Sequence, residues 1–506
     1  MAKKWWTLLA VCVGTFMLLL DVTIVIVALP DIQRALHAGF GDVQWVVDAY
    51  ALALASCLLT AGVLADRYGR RRLFSVGLVV FTLGSLLCGL AQSPLMLIVS
   101  RAGQGIGGAI MFATSLALLG QSFQGRDRGV AFGVWGAITG VAVSLGPILG
   151  GVITTGISWR GIFLVNIPIG VAALAITRRR VDESRAPHPG RPDVPGFALL
   201  TAGLVGLVYG LIRAGETTWS DSGALTALAA GGALLLGFLI AELTVAEPMF
   251  DLRLFRKPAF VGGLCAAFTM NGSLFAMYLY LVLYLQNLLG YSALATGARL
   301  LVSSGAMLVA ATVAGRLTER VPARWLIGPG LLAVGVGLLM MTGLDADSTW
   351  THLVPGLIVS GLGAGFVNPP LASTAIGVVE PARAGMASGI NSTFRQVGLA
   401  TSIAALGSIF TNSLQHRLTD ALARTPLADR AGQLAAAVRQ GQGGAATGAG
   451  LPPDQQQVLR TAIRSSFTGG LDDLLVVTGV VALTGAVLAT LLIRRKDFTA
   501  RPQNPG

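Results

Sequence analysis

Three ionisable side chains fall inside apolar stretches long enough to cross a bilayer: Asp21 in TFMLLLDVTIVIVALP, Asp48 in VQWVVDAYALALAS and Arg101 in LMLIVSRAGQGIGGA. A charge in hydrocarbon costs several kcal/mol, so such a residue marks function by default. Asp21 precedes Pro30 by nine residues, Asp48 follows Asp42 by six, and Arg101 follows Pro94 by seven. At ~1.5 Å per residue all three lie roughly 9–14 Å below one membrane surface. Grouped there, Arg101 favours ionised acids while burial and mutual repulsion favour protonation, a balance that lets a site load and release a proton. The competing reading is that each side chain only satisfies a buried partner. His37, His188, His352 and His416 fall between the apolar runs, so a proton relay inside the membrane must use carboxylates.

Other side chains suit a substrate cavity. Asn271, Phe275, Met277 and Tyr278 share one apolar run whose rings and thioether suit flat apolar ligands, although packing would use the same residues. Gln104 lies one helical turn beyond Arg101. Arg395 lies well inside a later run with no acidic partner nearby in sequence, free to meet substrate or backbone carbonyls.

The elements that must position these groups are membrane helices. Of the 506 residues, 54% are hydrophobic and only 12% charged, against about 25% charged in soluble domains. Mean hydropathy is +0.71. Spanning backbone must satisfy its own hydrogen bonds, so runs of about 20 apolar residues read as helices. Fourteen runs are expected, at Thr7–Pro30, Val43–Gly62, Leu73–Ala91, Leu95–Leu118, Val130–Thr154, Ile162–Thr177, Pro195–Ile212, Ala224–Leu243, Phe260–Tyr284, Leu294–Ala314, Trp325–Leu344, Leu353–Pro370, Met386–Phe410 and Leu474–Ile493. The first is too long for a signal-peptide core and has no A-x-A site, so it reads as a retained helix.

The net charge of +12 is topological and implies no nucleic-acid partner. Arg67, Arg70, Arg71 and Arg72, then Arg126 and Arg128, Arg178 to Arg180, Arg253, Arg256 and Lys257, Arg316, Arg320 and Arg324, and Arg383 all follow even-numbered runs. The positive-inside rule then places both termini in the cytoplasm, with Lys3, Lys4 and Lys496. Cys12, Cys57, Cys88 and Cys265 lie inside apolar runs without C-x-x-C spacing, so neither disulfide nor metal is expected. With no Walker A, H-E-x-x-H or G-x-S-x-G sequence, an enzyme is not expected, and no cofactor is needed beyond a proton gradient.

The chain repeats itself. GVLADRYGRR (Gly62–Arg71) aligns with GRLTERVPAR (Gly315–Arg324), and VSRAGQG (Val99–Gly105) with VSGLGAG (Val359–Gly365), pairing run 2 with 10 and run 4 with 12. Arg101 and Gln104 become Gly361 and Ala364. Parallel repeats of this kind build rocker-type carriers with a midplane site between the halves. The expected architecture is an all-α polytopic protein with a six-helix bundle in residues 1–180, two inserted helices in 181–258 and a second six-helix bundle in 259–506. The last unit carries an extracellular loop, 411–470, in which LADRAGQLAAAVRQ (Leu427–Gln440) reads as a helix.

Glycine and proline mark further sites. In GVLADRYGRRR, Gly62 and Gly69 permit a tight turn while Arg67, Arg70 and Arg71 hold the loop in the cytoplasm; topology alone does not require Asp66. In SLGPILGG, Pro147 removes a helical hydrogen bond and Gly146, Gly150 and Gly151 let a neighbour approach, which together predict a kink at a tight crossing.

With these segments, the chain resembles the major facilitator superfamily, specifically its fourteen-helix drug:proton antiporter subfamily of EmrB/QacA type. GVLADRYGRRR resembles the superfamily loop motif; LLDVTIVIVALP, SRAGQGIGGA, GPILGG, WRGIFLVNIPIG and ASGINSTFRQVG resemble subfamily segments. The resemblance implies the major facilitator fold, proton-driven export of a lipophilic, cationic small molecule across a bacterial cytoplasmic membrane, and action as a monomer. It implies coupling by Asp21 and Arg101, and a gate in which Asp66 caps or bridges a facing helix of the other bundle. Ala142 departs from the longer antiporter pattern, and run 10 lacks the embedded acid that some members use for divalent cations. An exporter of a self-made antibiotic would look the same. A nutrient importer or a non-transporting membrane sensor are the remaining alternatives.

Overall fold

The computed structural model describes residues 3–494 apart from 124, 186–192, 246–247, 249–251, 319–320, 346, 379–383 and 440–450. Glu319 and Arg320 of the repeat, His188, Arg383, Lys496, residues 441–450 and the side chains of Arg126 and Arg128 lie outside the described residues.

Every regular element described is helical. The long helices are α1 (Lys3–Leu36), α2 (Phe40–Tyr68), α3 (Arg70–Gly89), α4 (Pro94–Ser122), α5 (Gly125–Gly156), α6 (Gly161–Arg180) and α7 (Val194–Glu216). They continue with α8 (Ser222–Thr244), α9 (Pro258–Leu288), α10 (Ala293–Leu317), α11 (Arg324–Leu339), α12 (Val354–Gly377), α13 (Ala384–Leu422) and α14 (Pro453–Leu492). Among the described residues, 11 are long and apolar enough to cross a membrane, or 12 if the bent α2 is one span. The apolar segments Leu145–Gly156 of α5 and Arg324–Leu339 fall short of that length.

Local chemistry sets where several helices begin. Ser93 accepts the Met96 N–H at 3.2 Å with Pro94 in the first turn of α4, and Ser292 accepts the Ala295 N–H at 3.2 Å to start α10. Asp42 reaches back to the Gly39 N–H at 2.9 Å to start α2.

Three expected boundaries are corrected. Helix α1 runs through Pro30 to Leu36, so Asp21 sits near its middle rather than near one end. Proline is tolerated in such helices where neighbours support the backbone; Pro30 leaves the Ile26 carbonyl without its helical donor, and Gln286 of α9 braces the adjacent Val27 carbonyl at 2.7 Å. Helix α13 continues past Phe410 to Leu422, and α14 begins at Pro453 rather than near Leu474. Much of the expected loop 411–470 is therefore helical, including a short helix at Ala431–Arg439. Leu418, Leu422, Leu427, Leu434 and Leu459 build a small apolar core there, an amphipathic pattern that a search for continuous apolar runs cannot register.

The packing repeats as the sequence does. Helix α1 packs on α5 and α6, α2 and α3 pack on α4, and α3 packs on α6. Eight helices later, α9 packs on α13 and α14, α10 and α11 on α12, and α11 on α14. Across the middle, α2 meets α13 and α10 meets α5, which the same eight-helix shift interchanges. Helices α7 and α8 pair with each other, and α7 leans on α2 and α13. The aligned Gly105 and Gly365 occupy equivalent crossings: a methyl on Gly105 would lie 2.5 Å from the Tyr50 carbonyl of α2, and one on Gly365 would run into the Met307 carbonyl of α10. Gly361, where the first half has Arg101, sits directly on the Ser303 carbonyl, so the second half closes too tightly for an arginine.

Candidate functional site

Asp21 and Arg101 meet in the interior of the first half. The two are 1% exposed, and an Arg101 Nη1 to Asp21 Oδ2 distance of 2.5 Å joins them. Further hydrogen bonds surround the pair. Asp21 Oδ1 accepts from Gln104 Nε2 at 2.8 Å and from Asn166 Nδ2 at 3.1 Å. Arg101 also donates through Nη1 to Gln104 Oε1 at 2.7 Å and through Nε to the Val46 carbonyl at 3.1 Å, while its guanidinium lies 4.1 Å from the Tyr50 ring centre. Ser85 Oγ accepts from both Gln104 and Asn166. Helices α1, α3, α4 and α6 thus converge on one carboxylate, with α2 closing the arginine's other side. A buried ion pair survives desolvation only with such complete hydrogen bonding.

The expected three-residue group is divided. Asp48 is fully buried, but its two carboxylate oxygens have no hydrogen-bond partner among the described residues, and it makes no bond to Arg101 or Asp21. It lies within electrostatic reach of Tyr280 on α9. Gln104 belongs to the Asp21 cluster rather than to a cavity wall. Asn166, Ser85 and Tyr50 were not foreseen; an asparagine embedded in the apolar FLVNIPIG was the one signal for Asn166.

Between the halves lies a cavity of ≈ 20 Å³ lined by Thr23, Pro147, Phe275, Tyr278 and Ser304. It holds about one water molecule, against roughly 300–1,000 Å³ for a drug-sized ligand. This cavity alone is too small for a drug in this conformation. Phe275 and Tyr278 meet edge to face with ring centres 5.8 Å apart, and the Tyr278 hydroxyl lies 2.8 Å from Ser303 Oγ. Of the other expected lining residues, Asn271 donates to the Ala267 carbonyl of its own helix and Met277 is fully buried. Helix α9 widens to π turns at Asn271–Phe275 and Tyr284–Leu288, bulges that recur at functional sites. Arg395 donates to Asn368 Oδ1 of α12 at 2.9 Å rather than to backbone carbonyls.

The GPILGG segment sits at a three-helix crossing. Gly146 abuts Thr23 of α1, a methyl on Gly150 would lie 2.9 Å from the Ile24 carbonyl, and one on Gly151 would lie 2.5 Å from Leu294 Cα of α10. The Pro147 carbonyl in turn fills the space where Gly297 of α10 lacks a side chain. The α5 helix is continuous through Pro147.

The turn between α2 and α3 is built around Gly69. Its φ of 114° is a left-handed value that other residues resist, and a Cβ there would lie 2.7 Å from the Glu183 carboxylate. That carboxylate accepts the backbone N–H groups of Arg71 at 3.0 Å and Arg72 at 3.2 Å, anchoring the start of α3. Gly62, expected in the turn, lies inside α2 with open space around it. Asp66, expected to cap or bridge a facing helix of the other bundle when the cavity opens outward, accepts in this conformation from Arg70 at 2.8 Å, and Arg70 reaches on to Gln121 at 3.0 Å. Arg67 is exposed beside Tyr68.

Many apolar helices, two matching halves and an ion pair at their depth define a polytopic membrane transporter rather than an enzyme. A family model described as Major Facilitator Superfamily matches residues 11–403, and the chain belongs to that family. It is 34% identical to the tetracenomycin C resistance and export protein of Streptomyces glaucescens, over 99% of this chain and 94% of that one. It is 38% identical to the multidrug resistance protein Stp of Mycobacterium tuberculosis (strain CDC 1551 / Oshkosh), over 83% and 78%, and 35% identical to the puromycin resistance protein pur8 of Streptomyces alboniger, over 83% and 84%. Among solved structures, a bacterial homolog to the human lysosomal transporter Spinster, inward-facing and occupied, shares the fold with a TM-score of 0.61 at 19% identity over 99% of both chains.

Proposed function

We propose that this protein is a proton-coupled antiporter that exports lipophilic cationic drugs or antibiotics across the bacterial cytoplasmic membrane by alternating access. In this reading fourteen spans form two six-helix bundles, residues 1–180 and 259–506, that rock about the α2/α13 and α5/α10 contacts, with α7 and α8 inserted between. Both termini face the cytoplasm, and one chain acts alone. The observation that carries the proposal is the buried Asp21–Arg101 pair, unmatched in the second half and held by four helices whose movement would reshape it. The names of the relatives support drugs or antibiotics as the substrates. The relative that aligns over 99% of this chain is named for tetracenomycin C, which favours a second reading, a dedicated exporter of a self-made antibiotic.

The driving force is adequate. One charge crossing ~150 mV supplies about 3.5 kcal/mol, enough for a roughly 350-fold gradient of a neutral substrate. A monovalent cation exchanged for one proton gains only from the pH difference, whereas two protons restore the electrical contribution.

The test is resistance and efflux in cells expressing the chain, across a panel of cationic and neutral antibiotics, beside Asp21→Asn. Export that stops with a protonophore and in Asp21→Asn is expected, and substrate added to energised everted vesicles should release protons. Export indifferent to both treatments would show that protons do not drive it.

A further inference from the structure

Arg395 lies eleven residues into α13 (395 − 384), roughly 16 Å along the helix, and unlike Arg101 it has no acid beside it. Helices α9, α10, α11 and α12 contain neither Asp nor Glu, and α13 contains none before Asp420. What holds Arg395 is neutral. Its Nη2 donates to Asn368 Oδ1 of α12 at 2.9 Å, while the Asn368 amide donates to the Ala364 carbonyl at 3.2 Å. Arg395 Nε has no partner among the described residues, and neither has Nδ2 of Asn391, which is 5% exposed and sits one turn away on the same face of α13. Asp48 of α2 bonds to neither of them. An embedded charge is costly to keep and marks function by default. A guanidinium stays charged at any physiological pH, so the group that this half lacks is an anion.

The stripes of α13 show where that anion would stand. At about 100° per residue, Gly398 and Ser402 form the stripe that packs on Phe268 and Gly272 of α9, and Thr393 and Gly407 the stripe that meets Ala55 and Gln44 of α2. Ser392, Arg395 and Gln396 fall between those stripes on one flank, and each is partly exposed. The bond to Asn368 sets α12 on the same flank. Helices α10 and α13, which meet α5 and α2 across the middle, both pack on α12. The flank therefore borders the space between the halves, the region in which carriers of this build bind their cargo.

We propose that Arg395 and Asn391 form a binding site for the carboxylate or ionised phenol of an aromatic substrate, with Asn368 as the positioning residue that aims the guanidinium. Arg395 Nε and the Asn391 amide supply the donors, and the substrate supplies the charge that the first half supplies to Arg101 from Asp21. Charge-assisted hydrogen bonds of this kind are the strong ones, and they form only while cargo is aboard. The site rests on the export reading for its purpose and widens it: compounds that carry an acidic group beside their rings join the cationic ones.

The test uses the full chain in lipid nanodiscs and two probes with one ring system, pyrenebutyrate and the analogue in which a trimethylammonium group replaces the carboxylate. Binding at neutral pH is read by energy transfer from tryptophan to pyrene, with protein-free nanodiscs subtracted. The parent should bind the carboxylate, and Arg395→Gln should weaken that binding roughly 10- to 100-fold, the loss of a hydrogen bond to a charged group. The same variant should bind the cation as well as the parent or better. Arg395→Lys, which keeps the charge, should restore part of the carboxylate affinity. Asn391→Ala keeps the Arg395–Asn368 bond, gives an independent reading, and should also weaken the carboxylate alone. A merely structural arginine would lower both probes together. Equal loss of both probes in Arg395→Gln, or carboxylate binding untouched by Arg395→Gln and Asn391→Ala, overturns the proposal. Binding to purified protein needs neither export nor a proton gradient, so efflux that proves independent of protons removes the antiport reading and leaves this site to stand or fall separately.

Discussion

Removing one partner of the Asp21–Arg101 pair should cost much more than removing both in proportion. With Nη1 and Oδ2 at 2.5 Å, the charge centres lie about 4 Å apart, and at an effective dielectric constant near 20 their attraction is about 4 kcal/mol. Desolvation offsets much of that in the intact pair, but a lone buried charge keeps its full penalty, so Asp21→Ala and Arg101→Met should each lose about 3–5 kcal/mol. The stranded groups differ. Without Asp21, the guanidinium keeps Gln104 and Val46 but no anion; without Arg101, the carboxylate keeps the Gln104 and Asn166 amides. Arg101→Met should therefore be the milder single change.

The double variant has no stranded charge, so it should lose less than the sum of the singles by about 2–3 kcal/mol, the upper range for directly contacting residues. Reversible unfolding in mixed micelles, followed by tryptophan fluorescence and circular dichroism, measures all corners of the cycle. Additivity within about 0.5 kcal/mol would refute the reasoning, because it would mean that water reaches the pair or that the two side chains do not meet.

Three further outcomes are expected. Gly297→Val places a side chain against the Pro147 carbonyl, so it should cost about 1–3 kcal/mol by overpacking and abolish export at preserved membrane insertion; unaltered export would show that the α5/α10 crossing is loose. Glu183→Ala uncaps α3 and should lower stability by about 0.5–2 kcal/mol, while Gly69→Ala should lose more than the same change at Gly62, both measured by melting. The Arg213 guanidinium and the Ala224 N–H hold the Asp221 carboxyl below the usual carboxylate range. Its folded pKa being the lower one, the stabilisation is present above about pH 4 and fades as pH falls through the depressed value. Asp221→Asn should melt with a weaker acid dependence than the parent, and an identical acid limb would count against the pairing.

Much of the fold was legible because lipid imposes a simple rule: spanning backbone must bond to itself, and apolar length reports it. The repeat was equally legible, since Gly105 and Gly365 recur where backbones touch. The boundaries that moved did so where that rule lapses. Pro30 marks a helix end in water but not where Gln286 supports the turn before it. Leu414, Leu418 and Leu422 continue α13 with one apolar face and polar neighbours, which dilutes any average over a window.

The site was half legible for a related reason. Charge type and distance from a helix end give depth, and depth correctly suggested that Asp21 and Arg101 could meet. A helix has a second coordinate, the direction around its axis, and at about 100° per residue it changes quickly. Tyr50 turns its ring toward Arg101, and Asp48, two residues before it, sits roughly 200° away around the axis. The same rotation brings Asp48 back into line with Gln44 and hence onto the α13 seam. Neutral partners such as Asn166 and Ser85 carry no charge to announce them, and only the convergence of four helices identifies them. A carboxylate without a partner among the described residues is thus as informative as one with three: Asp48 marks the face of α2 that meets α13.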